Sequence, residues 1–280
     1  MEEIGGKIIE QIINENFKNE ISFRKDEQKI ENNFSDFIKV EQDYLINQIK
    51  LEKGIGKNTL LKENVFLSFV SVVTNIPLII VGKPGSGKSL SAQLIKNSMK
   101  GKYSNKKFFK LFPRIIQTYF QGSDTTFPQD VENLFKKAND KLKYYNKNPQ
   151  LETPISLALF DELGLAERSK YNPLKVLHSK LEYAGKDKNV AFIGISNYSL
   201  DAAKVNRALV LTVPDLDTQL DELKETAINI VESISPRLKN HVIFEILSNT
   251  YFEYKELLQT IKELIVYKKN KEIKVKEENK

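Results

Sequence analysis

The chain has 280 residues, 40% of them hydrophobic, with 43 Lys and Arg against 37 Asp and Glu and a formal charge of +6. That length holds one large domain or two small ones around a real core. Zero cysteines exclude disulfides, thiolate zinc and a cysteine nucleophile, and two well-separated histidines argue against a histidine metal site, so carboxylates, Lys, Arg and backbone amides are left for any chemistry.

The first 50 residues alternate charges with apolar residues. Ile4, Ile8, Ile9, Ile12, Ile13 and Phe17 recur at helical spacing, and a second helix is predicted around Phe37 to Leu51. Lys53-Gly54-Ile55-Gly56-Lys57 then breaks the pattern, so residues 1–56 read as a helical leader. Between residues 57 and 214, helical segments alternate with short β-rich apolar runs: Leu78 to Val81, Ile115 to Phe120, Ile155 to Phe160, Val190 to Ile195 and Leu209 to Val213. Runs apolar on both faces and separated by helices predict a parallel sheet covered on both sides, an α/β fold. Residues 215–268 read as an incomplete helical lid, with helices over Leu216 to Ser233 and His241 to Val266 and Pro236 between them, and 269–280 as a charged tail.

The most apolar stretch, Val65 to Val81, is interrupted by Asn75 and Pro77 and falls short of the roughly 20 residues a bilayer span needs. Met1-Glu2-Glu3 opens without a basic n-region or apolar core, so a cytoplasmic protein is expected. The basic residues concentrate in Lys100 to Lys110 and in Tyr267 to Lys280, mixed with Asn, Glu or Ser. Without an aromatic or Arg-rich recognition pattern they read as solvated surface, and a nucleic-acid partner is not expected.

Gly82-Lys83-Pro84-Gly85-Ser86-Gly87-Lys88-Ser89 follows the run ending at Val81 and precedes a predicted helix, Ser89 to Met99. The spacing G-x-x-x-x-G-K-S in that strand-to-helix context is a phosphate cradle. Its glycines let backbone N–H groups converge on phosphates, Lys88 reaches the β- and γ-phosphates, and Ser89 offers an oxygen to Mg²⁺; Leu90 completes the predicted nucleotide-contact set of residues 82–90. Leu157 to Phe160 is an apolar strand ending in Asp161 and Glu162, where Asp161 is the candidate second metal ligand and Glu162 the candidate base for an attacking water. The strand ending at Ile195 leads into Ser196-Asn197, whose amide is placed to hold that water. Arg207, ten residues beyond, carries the group best suited to developing phosphoryl charge; the alternative is a surface arginine paired with Asp215 or Asp217.

These residues resemble an AAA+ ATPase, with Walker A at Gly82 to Ser89, Walker B at Leu157 to Glu162, sensor 1 at Asn197 and an arginine finger at Arg207. The stretches 76–85, Tyr119-Phe120-Gln121-Gly122-Ser123, 160–167, 172–178 and 194–209 are similar to the AAA+ core of the mysterin family of giant RING-type ubiquitin ligases. The resemblance implies ATP and Mg²⁺ as cofactors, the strand order 5-1-4-3-2, a helical lid, and neighbouring AAA+ modules as partners, with ubiquitin-ligase parts elsewhere in a larger chain. With no Cys for a RING, ubiquitin transfer is not expected of this chain. The alternatives are a module that holds ATP as a structural ligand and a stand-alone remodeler of protein or nucleic acid. Arg237 is a doubtful sensor 2, and Gly54 and Ile55 lie where adenine contacts are conceivable. Tyr119, Phe120 and Phe127 are expected to pack or anchor loops rather than thread substrate, and His178 to pack or face solvent.

Overall fold

A computed structural model describes residues 34–148, 152–182, 190–214, 220–234, 246, 249–258 and 260–264. The predicted helix over Ile4 to Phe17, the charged tail, Asp215, Asp217 and Arg237 lie outside the described residues. Helices α1 (Phe34–Gln48) and α2 (Thr59–Thr74) lead into β1 (Leu78–Val81) and α3 (Lys88–Ser98). Two short 3-10 turns, Gly101–Tyr103 and Phe108–Leu111, precede β2 (Ile115–Gln121) and the long helix α4 (Pro128–Asn146). Strand β3 (Ile155–Asp161), helices α5 (Leu163–Glu167) and α6 (Lys175–Lys180), and β4 (Val190–Ser196) follow. Helix α7 (Ala202–Val205), β5 (Leu209–Thr212) and α8 (Leu220–Ile234) complete the elements relevant to the site.

The five strands form one parallel sheet in the order β2-β3-β4-β1-β5, which is 5-1-4-3-2 read from the other edge. Side chains along a strand alternate between faces, and here both faces are buried. Leu78, Ile80, Leu157, Leu159, Ile193 and Ile195 join residues of α2 and α3 in one core, into which Leu45, Ile46 and Ile49 also pack. Ile79, Val81, Ala158, Phe160 and Phe192 point the other way, against Val131, Leu134 and Phe135 of α4, Leu163 of α5 and Leu177 of α6. That two-sided burial is why β1, β3 and β4 read as continuous apolar runs. β5 departs from it: as an edge strand paired only with β1, it leaves Leu209 and Val210 about half exposed.

The register brings the carboxyl ends of the central strands level. Gln121 pairs with Asp161 across β2 and β3, and Val81 with Ser196 across β1 and β4. Ligands gather at this edge of an open parallel sheet, where the order reverses. Helix α8 attaches to the segment before α2. Ser233 Oγ accepts from Gly54 N at 2.8 Å, and Asn229 Nδ2 donates to Lys57 O at 3.4 Å. Asn58, which caps α2 by accepting from Leu61 N, donates from Nδ2 to Thr226 Oγ1 at 3.0 Å.

Candidate nucleotide site

The loop after β1 is held to its neighbour strand by Gly82 N donating to Ser196 O at 3.1 Å. Gly85 (φ +85°) and Gly87 (φ +76°) take left-handed backbone conformations that L side chains rarely adopt, so the turn depends on glycine at both. Gly87 is the residue before α3 and supplies no side-chain cap, which leaves the first amides of the helix to whatever enters the loop. Lys88, at the start of α3, is almost wholly buried. Its Nζ donates to Gly82 O and Lys83 O, both at 2.7 Å, and to Ser86 Oγ at 3.3 Å. Burial pushes the Lys88 ammonium below its ordinary pKa, opposed by the charges of Glu162 and Asp161.

Asp161 ends β3, where its Oδ2 accepts from Ser89 Oγ at 3.4 Å and its Oδ1 from Glu162 N at 2.9 Å. Glu162 sits in the left-handed region (φ +55°), unusual for a residue with a side chain and worth roughly 1–3 kcal/mol of strain. The strain is held by α5, because Glu162 O accepts from Leu165 N and Ala166 N at its first turn. It is also held by Asn197, whose Nδ2 donates to Glu162 Oε1 at 2.8 Å. Ser196 and Tyr198 bracket Asn197 in a tight turn in which Tyr198 N donates to Ser196 Oγ at 3.1 Å and that hydroxyl donates to Tyr198 O. Ser89, Asp161, Glu162 and Asn197, named from the sequence, are thus joined in one hydrogen-bonded line beside the loop that holds Lys88.

Tyr119 corrects the expectation of packing. Its neighbour Phe120 turns inward, its ring 5.1 Å from that of Phe160, so alternation along β2 puts Tyr119 on the other face, where it is 52% exposed. Its hydroxyl is pushed above its ordinary pKa by partial burial, then by the charge of Asp161, a hydrogen bond to that carboxylate and the charge of Glu162. Phe127 anchors its loop by stacking on Tyr171 with ring centroids 4.1 Å apart. Arg207 lies outside the line of contacts. Its guanidinium meets His178 Nδ1 at 2.6 Å, Asn206 Oδ1 at 3.2 Å and Glu182 Oε1 at 3.3 Å. The sequence reading missed both His178 and Glu182 as partners of Arg207, since nothing local links positions 25 or more residues apart. It also passed over Asn64, whose signal is an amide in the middle of an apolar helix.

Among the described residues no group of three or more His, Cys, Asp or Glu gathers to bind a metal. Ser89 and Asp161 alone make an incomplete oxygen set, which suits Mg²⁺ completing its shell with phosphate and water oxygens. A glycine-built anion cradle, a buried lysine and that hydroxyl–carboxylate pair fit a magnesium nucleoside triphosphate. Among the described residues no helix is long and apolar enough to cross a membrane.

The parallel order, with a phosphate loop after β1 and two acids at the end of β3, defines an α/β P-loop module of the AAA+ ATPase family. The family model described as the RNF213 AAA domain matches residues 54–220, and the chain belongs to that family; RNF213 is the systematic name of mysterin. It is 38% identical over 204 residues to the E3 ubiquitin-protein ligase rnf213-beta of Danio rerio, covering 70% of this chain and 4% of that protein. It is 36% identical over 177 residues to the E3 ubiquitin-protein ligase RNF213 of Homo sapiens, covering 61% of this chain and 3% of that one. The chain therefore spans only a few per cent of the length of the relatives it matches.

Proposed function

We propose that this chain binds and hydrolyses Mg-ATP as one AAA+ module of a mysterin-like ubiquitin ligase, with an α/β nucleotide-binding part over residues 57–214 and a helical lid over 215–268. The observation that carries the reading is the line from Ser89 through Asp161 and Glu162 to Asn197, set at the strand ends beside the Lys88 loop. Bound Mg-ATP supplies the phosphoanhydride whose terminal bond is cleaved. Residues 82–90 bind the phosphates: the loop amides and Lys88 offset their charge, while Ser89 and Asp161 hold the metal. Glu162 takes the proton of the attacking water at its carboxylate, and Asn197 keeps that carboxylate in place. Lys88, already desolvated, meets phosphate oxygens in a setting where charge interactions are stronger than in water.

Arg207 serves a neighbouring module rather than its own loop. Its contacts to His178 and Glu182 hold it in a resting position within this one. Hydrolysis then drives rearrangement between modules, and the ubiquitin-transferring chemistry belongs to other parts of the larger protein, since no cysteine is present here.

Steady-state ATP turnover measured across a range of chain concentrations, with Glu162→Gln as the blank, tests this. Turnover per molecule that rises with concentration is the expected result, because a neighbour supplies the arginine. Tight ATP binding with negligible turnover at every concentration would replace hydrolysis by a structural nucleotide, and absence of ATP binding would end the nucleotide reading altogether.

A further inference from the structure

Asn64 is 1% exposed on α2, between the buried apolar residues Leu61 and Val65. Its Nδ2 donates to Ser86 O, in the middle of the phosphate loop, at 2.9 Å. Its Oδ1 is buried and has no hydrogen-bond partner. A half-satisfied amide in a core destabilises a fold, and a leucine of nearly the same shape would sit there without that penalty. Departures from local stability of this kind point to a site.

What the amide holds is a single peptide plane. No peptide bond among the described residues is cis, so the carbonyl of Ser86 and the N–H of Gly87 lie in one plane and point in opposite directions. A flip of that plane turns the ψ of Ser86 and the φ of Gly87, and Gly87, at φ +76° and tolerant of either sign, offers it little steric resistance. Asn64 grips the carbonyl from the α2 side, which turns the Gly87 N–H away from α2, toward the concave side of the loop. The neighbouring stripe on α2 steadies the same region: Ser68 Oγ lies 3.3 Å from Ser91 Oγ, and Ser91 Oγ donates to Lys88 O at 2.6 Å.

We infer that Asn64 is a positioning residue for the phosphate loop, orienting the Ser86–Gly87 peptide so that the Gly87 N–H meets a nucleotide's β-phosphate. The inference rests on the nucleotide reading above. A backbone donor to the β-phosphate meets ADP and ATP alike, so its loss weakens the binding of both.

The test is Asn64→Leu, with ADP and ATP affinities and thermal midpoint measured against wild type. The expected result is a midpoint no lower than wild type and a Kd about tenfold higher for both nucleotides, the scale of one lost hydrogen bond in a dry site. If Asn64→Leu does not fold, Asn64→Met, an uncharged apolar side chain without the N–H donor, gives the same reading of affinity. Unchanged affinity with wild type binding normally overturns the positioning role alone. A midpoint that falls in step with affinity also overturns it, by making Asn64 a structural residue. Wild type that fails to bind ADP overturns the nucleotide reading and this inference together.

Discussion

Gly164 is the residue through which α5 touches the turn carrying Asn197. A Cβ at this position would lie 2.7 Å from Ser196 Oγ, with the Tyr198 ring and Cβ at 3.1 and 3.2 Å. Real Cβ atoms do not approach an oxygen that closely, so Gly164→Ala forces the Ser196–Tyr198 turn outward or tilts α5. Either movement lengthens the 2.8 Å hydrogen bond from Asn197 Nδ2 to Glu162 Oε1. Overpacking of this size costs about 1–3 kcal/mol, and the lower backbone entropy of alanine in a helix returns about 0.5–1 kcal/mol. The net loss of up to about 2.5 kcal/mol lowers the thermal midpoint by up to roughly 10 °C for a chain of this size. Nucleotide affinity should hold, because the atoms nearest the added Cβ belong to Ser196 and Tyr198 rather than to residues 82–90, while turnover falls at least tenfold as Glu162 loses its orientation. Thermal unfolding, ADP affinity and ATP turnover measured on the same preparation separate these effects. Gly164→Ala with wild-type turnover would refute the claim that the Asn197–Glu162 contact positions the base.

Glu182→Ala removes an exposed partner of Arg207, so stability should change by less than about 1 kcal/mol. If Arg207 acts on a neighbour, its release raises turnover at high chain concentration; turnover unchanged or reduced there argues against a resting position. Lys88 carries a pH signature. Its folded pKa is lowered by burial, so between that value and the ordinary lysine value of about 10.4 the unfolded chain binds more protons, and stability contributed by this group rises with pH across that window. In Lys88→Met that rise should vanish from denaturant-unfolding curves taken across the alkaline range; identical pH dependence in both chains would show the ammonium is not desolvated.

Much of the candidate site was legible because it is local. Gly82 to Ser89 is a contiguous stretch whose spacing dictates a strand, a glycine turn and a helix start, and Asp161-Glu162 and Asn197 each follow directly from an apolar strand. The parallel sheet was legible for the same reason: β1, β3 and β4 are apolar at nearly every position because both faces are buried, and the buried Ser156, an exception, donates to Ala138 O. β5 was read by the same rule, yet its edge position leaves it half exposed, since exposure depends on neighbours and not on its own residues.

What tertiary structure alone decided are pairings between distant positions. Arg207 meets His178 and Glu182, 29 and 25 residues away. Tyr119 comes to face Asp161 because of the parity of β2 against β3, and Asn64 reaches Ser86 because α2 packs across the phosphate loop. Backbone conformation and apolar periodicity are properties of neighbouring residues, so a sequence displays them directly. A side chain's partner is set by register and helix packing, which emerge only when the whole core closes.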